Sequence, residues 1–93
     1  MFVIVFTQSS TEAKVLEDDR PGRFATLQEA YDATLADLER EIAFYLPQAK
    51  AIFANESIAI TKEGLYKGGV VLKLAELMRK HSALAPIKYA LVS

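Results

Sequence analysis

The glycines and lysines between residues 62 and 69 are the closest approach in this sequence to a ligand-binding motif. Lys62, Gly64, Lys67, Gly68 and Gly69 come just before an apolar pattern that predicts a helix. Free amides at a helix N-terminus, together with nearby ammonium groups, can hold a phosphate or another small anion. The spacing matches neither the phosphate loop nor the dinucleotide-binding fingerprint. We therefore take an anion-binding site at Lys62, Lys67, Gly68 and Gly69 as an alternative function.

His81 is the only imidazole of the chain and could serve as a general base. It falls on the apolar stripe of a predicted helix, where packing as a half-buried core residue is the favoured interpretation and a functional role stays open. The sequence places no serine or carboxylate to complete a catalytic triad with it. We assign no catalytic residue and expect no cofactor.

Two short polar runs have simpler interpretations. Residues 17–19 offer three carboxylates that could bind a hard cation, but they lack the spacing of a calcium loop, so a solvated turn is predicted. The hydroxyls of residues 9–11 are explained by turn chemistry. With one histidine and no cysteine, the sequence predicts no metal site, disulfide or thiolate nucleophile.

The composition indicates a folded chain with balanced charge. Its 93 residues are 52% hydrophobic and 25% charged, which predicts a single domain over residues 1–93. The net charge of −1 argues against a nucleic-acid partner, although acids dominate the first half and bases the second, an asymmetry that can steer a partner. No apolar run reaches the ~20 residues that a membrane span needs. Without cysteine or a signal-peptide pattern, we predict a cytoplasmic protein.

Two strands begin the predicted fold. Residues 2–7 are β-branched and aromatic, which predicts a strand, and both of its faces are apolar. Residues 11–17 alternate, with Ala13 and Val15 inward and Lys14 outward, so the two segments should form a hairpin. A charged segment with a Pro-Gly pair then predicts a loop.

The first helix has the clearest start in the sequence. Thr26 and Glu29 form a capping box, and apolar residues recur at helical spacing from Leu27 to Leu46. Pro47 predicts the end of this helix, because the residue before a proline avoids the α region.

The second half of the chain is less regular. Residues 48–63 fit either a helical stripe or two short strands, and we favour a strand near 57–62. A second helix is predicted from about Val70 to Ser82, and Pro86 prevents it from continuing. Residues 87–92, apolar except for Lys88, predict a last strand that pairs beside the first.

These elements predict an α+β fold, a small two-layer sandwich of β-hairpin, helix, strand, helix and C-terminal strand with both helices on one sheet face. Apolar residues of the first and last strands would then form a patch on the opposite face. We therefore predict a non-enzymatic interaction module that forms a homodimer or binds a protein partner through this sheet face. The expected interface residues are Val3, Val5, Leu72, Ala90 and Val92. The alternative is a small-molecule or anion-binding protein, or a minor enzyme, that uses the loop from Lys62 to Gly69.

Overall fold

Two strands and three helices make up the structure, a computed structural model that describes residues 1–54 and 62–92. In chain order they are β1 (Phe2–Phe6), β2 (Ala13–Glu17), α1 (Leu27–Ala54), α2 (Lys62–Ala83) and α3 (Ala85–Val92). An antiparallel hairpin followed by helices confirms the predicted α+β class. No helix in the described ranges combines the length and the apolar character that crossing a lipid bilayer requires.

The hairpin has the register that its alternating sequence predicts. Ile4 lies opposite Val15 on one face, and Val3 lies opposite Leu16 on the other. Side chains of a strand alternate between its two faces. Because Ile4 is buried, the face that carries Val3 and Leu16 points away from the core.

A short loop carries the chain from β2 to the other edge of β1. There the amides of Phe2 and Phe24 each donate to the carbonyl of the other, at 2.7 and 2.8 Å. Gly22 precedes this pair with a φ of +84°, a conformation that glycine adopts readily and other residues avoid. The Arg23 guanidinium donates to both oxygens of Asp18, from Nε at 2.8 Å and from Nη2 at 3.4 Å. β1 therefore lies between β2 and Phe24.

Helix α1 begins where the sequence predicts. The Glu29 amide donates to Thr26 Oγ1 at 3.1 Å, which satisfies one of the free amides of the first turn. Ala30, Tyr31 and Leu38 are its buried residues in this half, and their helical spacing turns one side of α1 toward the hairpin.

The predicted end of α1 at Pro47 is wrong, because the helix continues to Ala54. A proline inside a helix removes one backbone donor and crowds the preceding turn. Gln48 Nε2 donates to the Phe44 carbonyl at 3.0 Å, a side-chain hydrogen bond to the turn that precedes the proline. Ala49 is buried beyond the proline, so packing favours continuation, and the helical alternative for residues 48–54 is the correct one.

Helix α2 begins at Lys62 rather than near Val70, so the loop predicted between residues 64 and 69 is wrong. A glycine inside a helix costs only about 1 kcal/mol relative to alanine, and the long packing of α2 along α1 offsets that cost. The strand favoured near 57–62 lies outside the described residues, except for Lys62, which belongs to α2.

The last element is a helix, so the C-terminal strand predicted over 87–92 is wrong. Pro86 lies in the first turn of α3, where a backbone N–H has no helical partner to lose. Ile87 is buried and Leu91 packs against the core, which is the i, i+4 spacing of one helix face. A short, mostly apolar segment of this kind fits a strand and a buried helix equally well.

One cluster of buried side chains joins the helices to the hairpin. Its members are Ile4, Ala30, Tyr31, Leu38, Leu77, Leu84 and Ile87. Phe2, Phe6 and Ala13, on the same hairpin face as Ile4, pack against this cluster. The prediction that both long helices lie on one sheet face is therefore confirmed.

Candidate functional site

The hairpin turns one face away from the core. Its side chains are Val3, Val5, Lys14 and Leu16, which the register places in two cross-strand pairs. We call these four residues the uncovered face. Val5 is 36% exposed and Leu16 43%, whereas Ile4 on the other face of β1 is 7% exposed; Val15, opposite Ile4 on β2, is 39% exposed. The uncovered face is thus an apolar surface with one charge, which Lys14 carries on a long aliphatic stem.

The structure brings together only two of the five predicted interface residues. Val3 and Val5 share the uncovered face. Ala90 and Val92 are exposed but belong to α3, so they do not extend the sheet as predicted. Leu72 is exposed on α2. The joint patch of the first and last strands therefore does not form.

Leu16 is the interface candidate that the sequence reasoning missed. It completes the apolar part of the uncovered face, opposite Val3. The signal was present in the alternation of β2, because Leu16 has the same parity as the outward-facing Lys14.

The residues predicted to bind an anion lie in a helix. Lys62, Lys67, Gly68 and Gly69 all belong to α2, which begins at the first of them. Beyond the first four residues, helical amides donate within the helix and are not free for a ligand. The placement of Lys67, Gly68 and Gly69 therefore removes the loop geometry on which that prediction depended.

A groove of about 500 Å³ runs between β1 and α1, and we call it the β1–α1 groove. Its apolar lining includes Ile4, Phe6, Phe24 and Leu38, and its charged lining consists of Asp37, Arg40, Glu41 and Lys80. The groove is therefore bounded by a strand on one side and a helix on the other, with both apolar and charged side chains in reach of a ligand.

Most of the charges at this groove already have partners. Asp37 and Arg40 form an ion pair. Lys80 Nζ lies 3.1 Å from Glu76 Oε1 and 5.5 Å from the centroid of the Phe6 ring. The hydrogen bond from Lys80, with the nearby charge of Lys73, lowers the pKa of Glu76. Within the described part of the chain, Glu41 is the groove carboxylate that has no ion-pair partner.

His81 is exposed, so its predicted half-buried packing is wrong. With Met78 it lines an apolar groove of about 320 Å³ between α2 and α1, where Leu46 and Glu39 form the opposite wall. No three His, Asp or Glu side chains of residues 1–54 and 69–92 gather closely enough to hold a metal ion.

The two polar runs form turns. Ser9 Oγ and Thr11 Oγ1 are 2.7 Å apart, and the Glu12 amide donates to Thr7 Oγ1 at 3.2 Å. In the acidic run, Asp18 is bound by Arg23, and this hydrogen bond lowers the pKa of Asp18. These polar groups satisfy one another and hold the hairpin and the loop after it.

The chain was compared with three sets of known proteins, and none of them contains a match. No protein-family model, no curated protein and no solved structure matches this chain. The surfaces of the protein itself, first among them the uncovered face, therefore provide the basis for a proposed function.

Proposed function

We propose that this protein is a non-enzymatic interaction module that forms a homodimer through the uncovered face. The observation that carries the proposal is the contrast within β1, where Ile4 is buried and its neighbour Val5 is exposed on the face that it shares with the exposed Leu16. Removing apolar surface from water stabilises a complex by about 25 cal/mol per Å². A second copy offers an identical apolar face, and two-fold association of one patch with itself is the commonest symmetry of oligomers.

The size of the face limits the strength of the dimer. Each strand has five residues, so the face is about 17 Å long and about 10 Å wide. Stable interfaces bury about 800 Å² per partner, which is more than this face supplies. Met1, exposed beside β1, enlarges the apolar area. We therefore expect a micromolar dimer that exchanges with monomer.

Composition supports the remaining parts of the proposal. The balanced charge favours a protein partner over nucleic acid, and the absence of cysteine supports a cytoplasmic setting. The anion-binding alternative required a loop before the helix, and Lys67, Gly68 and Gly69 lie within α2 instead.

Sedimentation equilibrium of two charge-introducing variants tests the proposal. Leu16→Glu places a carboxylate on the uncovered face, and we expect a folded monomer, because two buried charges would face each other across the two-fold axis. Leu72→Glu is the matched control, since Leu72 is exposed on α2, and it should associate like the wild type. Circular dichroism confirms that both variants keep their helices.

Two results would contradict the proposal. The first is a wild-type protein that remains monomeric across the whole micromolar range. The second is a dimer that survives Leu16→Glu and is lost with Leu72→Glu, which would move the interface to α2.

A further inference from the structure

A polar cleft of about 520 Å³ lies between the turn of the hairpin and α2, and we call it the tip cleft. Gln8, Ser9 and Ser10 line it from the hairpin, and Lys73, Glu76 and Arg79 line it from α2. None of these side chains belongs to the uncovered face or to the β1–α1 groove. The tip cleft is therefore a separate place where polar groups of two elements face a common space.

The charge around the tip cleft is positive. Lys80 Nζ lies 3.1 Å from Glu76 Oε1, and Lys73 Nζ lies 3.8 Å from Oε2 of the same carboxylate. The pKa of Glu76 is lowered by the hydrogen bond from Lys80 and further by the charges of Lys73 and Arg79. Three cations thus surround one carboxylate. Because Lys80 already balances Glu76, the charges of Lys73 and Arg79 remain to attract an anion.

Arg79 provides hydrogen-bond donors that the protein itself leaves unused. In the described part of the chain, its side chain makes no hydrogen bond or ion pair. A guanidinium presents its N–H donors in a planar fork that matches the oxygens of a phosphate group. Arg79 also lines an adjoining hollow together with Thr11, so it lies along the polar run of the hairpin turn.

The hairpin turn supplies a hydroxyl donor from the opposite wall. Ser9 Oγ lies 2.7 Å from Thr11 Oγ1 and 3.4 Å from Thr7 Oγ1. Each hydroxyl carries one hydrogen, so these two contacts use two of the three hydrogens and leave one. When Ser9 accepts from both threonines, the remaining hydrogen is its own and is available in the tip cleft.

We propose that the tip cleft binds the phosphate group of a small organic phosphomonoester. Arg79 and Lys73 bind the phosphate oxygens from α2, and Ser9 donates a hydrogen bond from the hairpin. A phosphomonoester carries nearly two negative charges at neutral pH, which matches these two cations. The volume of the cleft is in the range that holds small organic molecules. Leu72, which is exposed, also lines it, so the organic part of the ester packs against Leu72.

Titration of the ¹⁵N-labelled full chain with phenyl phosphate at constant ionic strength, followed by amide chemical shifts in NMR, tests the proposal. We expect saturable, millimolar binding, with the largest shifts at residues 8–10 and 72–79. Inorganic phosphate should bind about threefold more weakly, because it buries no apolar surface against Leu72. Phenol, which has no phosphate group, should not bind.

Two variants separate the phosphate contact from the contact with the organic group. Arg79→Gln should weaken phenyl phosphate about fivefold, the upper end for an exposed ion pair. Arg20→Gln is the matched control, because Arg20 is exposed in the loop after β2, and it should bind like the wild type. Leu72→Ser should lower the affinity for phenyl phosphate to that for inorganic phosphate and leave inorganic phosphate unchanged.

Four results would overturn the proposal. They are no saturable shifts with phenyl phosphate, equal weakening by Arg79→Gln and Arg20→Gln, binding of phenol as tight as that of phenyl phosphate, and equal affinity for phenyl phosphate and inorganic phosphate, which would make the ligand the free anion. The Leu16→Glu variant should bind phenyl phosphate like the wild type. Failure of the dimer, seen in sedimentation, is therefore distinguishable from failure of the tip cleft, seen in NMR.

Discussion

Two glycines should respond in opposite directions when each is replaced by alanine. An added Cβ would meet nothing within 4 Å at Gly22 or at Gly69, so backbone conformation alone decides the outcome. Gly22 has a φ of +84°, and an L-residue in that region costs about 1–2 kcal/mol. Gly69 lies inside α2, where alanine is more favourable than glycine by about 1 kcal/mol. Gly22→Ala should therefore destabilise the protein, and Gly69→Ala should stabilise it.

Urea unfolding followed by circular dichroism measures both changes. A small domain loses about 1–3 kcal/mol of stability per molar urea, so a change of about 1 kcal/mol moves the midpoint by roughly 0.3–1 M. The corresponding change in melting temperature is about 4–8 °C. A Gly69→Ala variant that is destabilised as much as Gly22→Ala would refute the helical placement of residue 69 and restore the loop. A neutral Gly22→Ala would refute the positive φ.

The remaining predictions concern α3 and the loop after β2. Ile87→Ala should cost about 2–5 kcal/mol because it empties a buried site, whereas Tyr89→Ala should change the unfolding free energy by less than about 0.5 kcal/mol. Equal losses would favour a strand, in which both residues share one face. The pKa of Asp18 is lowered from 3.8 by its hydrogen bond from Arg23. The Asp18–Arg23 pair therefore stabilises the fold at pH values above 3.8, the ordinary pKa of the carboxyl group. This stabilisation is lost as the pH falls through the lower pKa that Asp18 has in the folded protein. Asp18→Asn should flatten the decline of the urea midpoint below about pH 5, and an unchanged decline would contradict this assignment.

The elements that sequence predicts well are those with strong local signals. The hairpin and the cap at Thr26 depend on neighbours within a few residues, and both are confirmed, by the backbone pairs and by the bond from Glu29. The inward position predicted for Val15 is wrong, because Val15 is exposed. The face on which the helices pack was also predictable, because Ile4 and the apolar side of α1 each have one clear orientation.

The elements that sequence predicts poorly depend on distant contacts. Pro47 is a strong local signal for a helix end, but the packing of Ala49, which is buried beyond it, outweighs that signal. The apolar run after Pro86 has no internal feature that separates a strand from a buried helix. Contacts of this segment with the rest of the core select the helix, and these contacts form only in the folded chain.

The candidate surfaces could be predicted only in part for the same reason. Val3 and Val5 were identified because both faces of the first strand are apolar, and the hairpin register then adds Leu16. The β1–α1 groove was not predicted, since it depends on how far α1 stands from β1 beside Phe24. No spacing along the chain encodes that distance.

The element type of the last segment decides how wide the sheet is. A last strand beside β1, as the sequence predicts, would occupy the edge of β1 that Phe24 now borders, and would widen the sheet on both faces. Because this segment is α3, it contributes Ile87 and Leu91 to the core and leaves the sheet with two strands. A two-stranded sheet is marginally stable by itself and keeps its edges available for pairing. The helices stabilise one face of it, so the uncovered face is the side of the sheet left for another molecule.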